Sequence, residues 1–271
     1  LYQGSFKQVQ GGRSVNLTAN FKNILGFEGR RIYNVKLDYQ SRNGALTKLD
    51  LAGVGSKGGS YSAKAQRHGN ETLFTLSSDL AGNALAFTNV YTKMQGGRIS
   101  ASLVRRDNGP FIGPIKLTDF TVVNEPRLAK MVGNVKRQIP DERGQRNKVI
   151  PVEQDKKISF DLAQATIEKG EGYLNLKDAI IRNNIIGLSM DGLLYDKNDR
   201  MRINGTFMPA NSVNLAVSAI PILGRFFANG KDRALIGITY QLKGARSNPE
   251  LLVNPLSIVT PGFFNKVFEF R

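Results

Sequence analysis

Apolar and polar residues alternate along most of this chain, and this period of two limits the fold more than any other feature. Successive side chains of a strand point to opposite faces of a sheet, so alternation predicts strands with one apolar and one polar face. SVNLTANF at 14–21 and RISASLV at 98–104 are examples. We therefore predict a mainly β fold, a curved antiparallel sheet that forms an apolar groove and is capped by a few short helices.

Four segments depart from the alternation and predict the helical caps. Apolar residues recur every three or four positions over 79–94 and 126–138. The segment 211–228 carries a single charge, Arg225, and 255–268 ends in an aromatic stripe. No residue between Arg202 and Arg225 is charged, but Pro209, Pro221 and several polar residues argue against a membrane span there. We expect the first segment to cover the sheet, and the third to be buried against the sheet or inserted into an apolar cavity.

The residue inventory argues against catalysis. The chain has no Cys, which excludes disulfides, thiolate nucleophiles and Cys-based zinc sites. Its single histidine, His68, lies in a polar turn, and the carboxylates are scattered. Gly53–Gly58 fits G-x-G-x-x-G, but a strand-like segment follows it where a dinucleotide site needs a helix. We therefore expect a protein that is not an enzyme, with no catalytic residue, no metal and no cofactor.

The charge predicts an anionic partner. With 38 basic and 22 acidic residues, the net charge is +16. Nucleic acid is not expected, because Trp is absent and most other aromatic residues take strand positions where they pack. The basic residues concentrate between 127 and 157, either as a charged linker or as a patch for anionic headgroups. The candidate cations of that patch are Lys136, Arg137, Arg143, Arg146 and Lys148.

The polar loop at 140–148 is the best boundary within the chain. It divides one region, 1–271, into an N-terminal sheet with a helix (1–124), a helix with a basic loop (125–157) and a C-terminal sheet with short helices (158–271). The chain begins at Leu1 without Met. We interpret it as a fragment whose export signal or anchor lies upstream.

Several motifs indicate a family. They include IKLTDFTVVNEPRLAKMV at 115–132, IPILG at 220–224, VNPLS at 253–257 and PGF at 261–263. With them the chain resembles the C-terminal domain of bacterial AsmA-like proteins, most of all the large YhdP-type members, strongly over 115–268 and more loosely over 1–114. The resemblance implies a periplasmic protein of the cell envelope, anchored in the inner membrane by an upstream segment. It further implies a β-groove of the bridge-like lipid-transfer type, which conducts phospholipid toward the outer membrane during outer-membrane biogenesis.

The candidate lipid site lies in the second half of the chain, on inward residues of the predicted strands. These residues are Ile158, Phe160, Leu162, Leu174, Leu176, Ile186, Leu188, Met190, Ile203 and Phe207. Two alternatives stay open for this face: a groove for acyl chains, or an ordinary core closed by the helices.

The terminal residues Phe263, Phe264, Val267 and Phe268 follow helical spacing and form a second candidate site. They could gate the groove, dock on a membrane or pack on the sheet edge. The main functional alternative to lipid transport is a non-enzymatic scaffold for outer-membrane assembly that binds protein partners. An enzyme acting on lipid or cell wall ranks third.

Overall fold

A computed structural model describes residues 13–56, 58–132, 136–140, 147–151, 157–184, 186–209 and 238–254. Within them the protein is mainly β, which confirms the predicted fold class. The first seven strands are β1 Val15–Leu25, β2 Arg31–Arg42, β3 Ala45–Val54, β4 Ser60–His68, β5 Glu71–Ser78, β6 Met94–Arg106 and β7 Phe111–Val123. The others are β8 Lys136–Pro140, β9 Asn147–Pro151, β10 Lys157–Gly170, β11 Tyr173–Arg182, β12 Ile186–Tyr195, β13 Arg200–Pro209, β14 Ile238–Ala245 and β15 Glu250–Asn254.

Thirteen of these described strands form one antiparallel sheet in chain order, from β1 at one edge to β15 at the other. The strands β8 and β9 pair only with each other, as a hairpin inserted between β7 and β10. β7 pairs directly with β10 over a long register that includes Phe120 opposite Phe160. The two halves of the chain on either side of the basic segment therefore belong to one sheet.

The sheet is curled, because residues far apart in strand order meet. From β6 to β14 there are six strand steps, about 29 Å across a flat sheet at roughly 4.8 Å per step. Nevertheless, Arg246, which follows β14, donates hydrogen bonds to the carbonyls of Asn89 and Val90, which precede β6. Arg127 likewise donates to the Pro249 carbonyl oxygen at 2.9 Å, near the start of β15. The second half of the sheet must therefore bend back over its own middle.

Two short α-helices are described, α1 Ala81–Phe87 and α2 Pro126–Val132. The predicted helix over 79–94 was too long: α1 ends at Phe87, and Thr88 caps it with a hydroxyl that donates to the Ala84 carbonyl oxygen. Gly96 and Gly97, which follow the predicted helix, lie inside β6. Tyr91, in the connection after α1, and Met94, at the start of β6, nevertheless pack on the same core as Ala84. Their helix-like spacing in the sequence therefore reflects burial in one core and not membership of one helix.

The second predicted helix, 126–138, was also too long. α2 ends at Val132, and residues 136–138 belong to β8. The two remaining predicted helices, 211–228 and 255–268, lie outside the described residues.

The largest core cluster lies on the inner face of the curled sheet. Stacked rings of Phe120 and Phe160, with centroids 5.5 Å apart, mark its centre. α1 contributes Ala81 and α2 contributes Leu128, so both helices cover this face. A smaller cluster around Val35 and Tyr61 joins α1 to β2 and β4.

Candidate functional site

Two continuous rows of apolar side chains cross the inner face at right angles to the strands, joined by direct cross-strand pairing. Row 1 consists of Leu17, Tyr39, Leu49, Ala65, Phe74 and Leu103 on β1 to β6. Row 2 consists of Ala19, Leu37, Leu51, Ala63, Leu76, Ala101, Ile115 and Ala165 on β1 to β7 and β10. Between them on the outer face lie Thr18, Asp38, Asp50, Lys64, Thr75 and Ser102. The inner face is thus uninterruptedly apolar in these rows, whereas the outer face is polar there.

The rows are buried at one end and open at the other. On β6, Leu103 is 5% exposed, whereas on β1 Leu17 is 45% exposed and its face neighbour Phe21 is 40% exposed. Part of these rows is here called the open strip. It comprises the row residues that are exposed or half-buried and that lie outside all three core clusters of the described residues. They are Leu17, Ala19, Leu37, Tyr39, Leu49 and Ala63. A contiguous, partly exposed apolar surface of this kind is typical of a binding surface.

The predicted lipid-binding residues lie elsewhere on the same sheet, in its second half. Seven of them are buried: Ile158, Phe160, Leu174, Ile186, Leu188, Ile203 and Phe207. The other three, Leu162, Leu176 and Met190, are half-buried. Most belong to the core clusters that α1, α2 and the connection before β6 cover, so in this structure they form packed core. That any of them contacts lipid stays a prediction.

At the turn end of the sheet the inner face changes from apolar to cationic. Two residues further along each strand from row 1, toward the turns, lies a third row, here called the turn-end row. Its members are Arg67, Thr72, Arg105, Phe111, Lys169, Leu174 and Tyr195. Cations and aromatic rings pair along it, with the Arg105 guanidinium 5.6 Å from the Phe111 ring centroid and Lys169 Nζ 5.9 Å from that of Tyr195. Such pairs stabilise partly desolvated cations.

Burial affects two kinds of titratable group on the inner face. It lowers the pKa of Lys169, because the ammonium loses water, although the Glu171 carboxylate partly opposes this. It raises the pKa of Tyr240, whose hydroxyl donates to the Ser189 carbonyl oxygen at 2.9 Å. Tyr240 therefore remains a protonated donor that connects β14 to β12.

The other predicted site residues are only partly within the described structure. Lys136, Arg137 and Lys148 belong to the β8–β9 hairpin. Arg143 and Arg146, like Phe263, Phe264, Val267 and Phe268, lie outside the described residues. Within the described ranges, no group of three or more potential metal ligands comes together.

The alternation at 14–21 places Leu17 and Ala19 of the open strip on one face of β1. The sequence analysis missed the turn-end row. Arg67 follows Ala63 and Ala65 at the next alternate position of β4, and Arg105 follows Ala101 and Leu103 in the same way on β6. The pattern that could have predicted this row is a strand in which arginine takes the alternate position directly after a series of apolar ones.

Comparisons with protein-family models, with curated proteins and with solved structures found no match for this chain. The resemblance to AsmA-like proteins therefore rests on the motifs that carry it and stays a prediction. Among the residues that the structure describes, no helix has the length and apolar character needed to cross a membrane.

Proposed function

We propose that this chain is the periplasmic part of an AsmA-like protein, anchored to the inner membrane by an upstream segment, that holds or conducts phospholipid acyl chains toward the outer membrane. The observation that carries the proposal is the pair of apolar rows, continuous from β1 to β6 and exposed toward β1. The family resemblance supplies the membrane setting, and the rows supply the surface.

The open strip is long enough to hold part of an acyl chain. From β1 to β4 there are three strand steps, about 14 Å at roughly 4.8 Å per step. A fully buried methylene contributes about 0.8 kcal/mol. A chain resting on one apolar face buries part of its surface, so ten methylenes contribute on the order of several kcal/mol. Such contacts have no directional requirement, which suits a chain that slides.

The proposed lipid site lies in the first half of the sheet, whereas the sequence predicted it in the second half. The inner face of β10 to β14 is packed core, whereas the inner face of β1 to β4 offers the open strip. Lipid would therefore enter from the β1 edge and lie on Leu17, Leu37 and Leu49.

Uptake of a fluorescent phospholipid tests the proposal with a matched pair of variants. Leu49→Asp places a carboxylate in the open strip, whereas Leu73→Asp makes the same change at an exposed position on the outer face of β5. We expect Leu49→Asp to lower uptake at least about tenfold, because the chain would have to desolvate a charge. Leu73→Asp should match the wild type. Equal uptake by all three folded proteins would contradict the proposal.

One observation favours the scaffold alternative. Leu73, Val104 and Ile112 are cross-strand neighbours on the outer face, and each is about two-fifths exposed. An apolar cluster on an otherwise polar face fits the centre of a protein interface. A scaffold would bind a protein partner there, so Leu73→Asp would abolish partner binding and leave lipid uptake unchanged.

A further inference from the structure

A small open pocket of about 30 Å³ lies at the turn end of the inner face, close to the open strip. Arg67, Thr72 and Arg105 line it from adjacent strands, and the β2–β3 and β6–β7 turns contribute Gly44 and Asn108. The volume accommodates about two water-sized oxygens. The pocket is therefore the size of part of an oxyanion, and donor-bearing side chains surround it.

Arg105, which lines this pocket, has a side-chain nitrogen without an acceptor. Its Nε is buried and has no hydrogen-bond partner. A guanidinium nitrogen can only donate, and it stays charged at any physiological pH. A buried donor without an acceptor costs free energy, so native proteins almost always supply one. An oxygen atom from outside the described chain would meet this need once the Arg105 side chain turns to expose its Nε–H.

The charges around the pocket favour a negatively charged ligand. Arg67 and Arg105 contribute two cations, and Asp107 contributes one carboxylate. Among the described residues neither arginine has a carboxylate within salt-bridge distance. The adjacent Arg106, which points to the outer face, differs: its Nε donates to Glu71 Oε1 at 2.8 Å. The two inner arginines therefore lack the carboxylate partner that Arg106 has, and Arg67 Nε donates instead to the Gly69 carbonyl oxygen at 2.9 Å.

The pocket is also placed correctly for an amphiphile. On β4 the inner face presents Ala63, Ala65 and then Arg67, and on β6 it presents Ala101, Leu103 and then Arg105. Each step of two residues is about 6.6 Å. An anion between the arginines would therefore lie one step beside row 1 and two steps along β4 from Ala63 of the open strip.

We propose that Arg67 and Arg105 hold an oxyanion of phosphate chemistry at the turn end of the inner face. This rests on the proposed function in one respect: the phosphate belongs to the headgroup of a lipid whose acyl chain lies on the open strip. The guanidinium of Arg105 donates its Nε–H to one oxygen, and Thr72 and Asn108 lie beside the remaining oxygens. Inorganic phosphate, which has the same chemistry, is the other source that the experiment distinguishes.

The test compares two lipids that share one chain and differ in charge. Oleoyl lysophosphatidic acid carries a phosphate, and monooleoylglycerol carries none. We expect the wild type to bind the phosphate lipid at least about tenfold more tightly, the size of one charge-assisted hydrogen bond. Arg105→Gln should reduce that preference to within about twofold. Arg106→Gln, which removes the same charge from the outer face, should leave it intact. Should Arg105→Gln not fold, Arg67→Gln carries the same expectation.

The Nε–H resonance of Arg105 gives a second, local readout. A shift with inorganic phosphate and with the phosphate lipid assigns a general phosphate pocket, and a shift with the lipid alone assigns a headgroup site. No shift with either, or equal loss of preference in Arg105→Gln and Arg106→Gln, would overturn the proposal. If wild type fails to bind monooleoylglycerol but phosphate still shifts the resonance, the open strip is refuted and the pocket stands.

Discussion

Aspartate at Leu188 and at Leu49 should affect the free energy of unfolding very differently, although both leucines lie on the inner face. Leu188 is 4% exposed in the largest core cluster and lies opposite Phe207 and Ile181. Truncating a buried leucine costs about 2–5 kcal/mol. A buried carboxylate without a partner adds a further few kcal/mol, so the sum approaches the roughly 5–15 kcal/mol that stabilises a domain. Leu49 is half-buried outside the core clusters, and its replacement should cost about 1 kcal/mol.

Urea unfolding followed by far-ultraviolet circular dichroism measures both variants. We expect Leu188→Asp to lack the cooperative transition of the wild type, or to show a greatly lowered midpoint, whereas Leu49→Asp should shift the midpoint only slightly. Leu73→Asp, exposed on the outer face, is the control for the substitution itself. A Leu188→Asp protein as stable as Leu49→Asp would refute the packed second half and restore that face as the candidate groove.

Two further predictions concern side-chain contacts, one that closes the curled sheet and one within the β10–β11 hairpin. Arg246→Gln removes the guanidinium that donates to the carbonyls of Asn89 and Val90 and lies 5.4 Å from the Tyr195 ring centroid. Thermal unfolding should therefore show that the free energy of unfolding falls by about 1.5–3 kcal/mol. The control Arg200→Gln, at an exposed position, should change it little. Hydrogen bonds from Lys177 Nζ and the Tyr173 hydroxyl lower the pKa of Glu168 below its ordinary value of 4.5. The ionised carboxylate therefore contributes to folding stability in full above pH 4.5, and this contribution is lost as pH falls through the lower pKa of the folded state. Wild type should therefore lose more stability than Glu168→Gln on acidification below pH 4.5, and parallel acid-unfolding curves would contradict this.

Local pattern was enough to predict the strands and most of the open strip. Leu17, Leu37, Leu49 and Ala63 share a face because alternation fixes side-chain direction wherever the strand is regular. The pattern fails at irregular residues. Asn34, with φ of 50°, shifts the alternation, so that Ile32 and Val35 both join one core cluster although three positions separate them.

Which part of the inner face is covered could not be predicted from local pattern. The closing contacts join residues more than 120 positions apart, as between Arg127 and Pro249 or between Arg246 and Asn89. Alternation is the same for a strand that faces a groove and for one that faces a core. The sequence therefore predicted an apolar face in both halves and could not indicate that the first half is the exposed one.

Photo-crosslinking at two adjacent residues of β2 tests the central claim most directly. Tyr39 lies in the open strip and Gln40 lies on the outer face, so a photoreactive phenylalanine analogue at either position samples one face of the same strand. With phospholipid vesicles as the donor, we predict a lipid adduct, identified by mass spectrometry, at position 39 and none at position 40. Equal labelling at both positions, or labelling only at position 40, would contradict the assignment of the open strip as the lipid-holding surface.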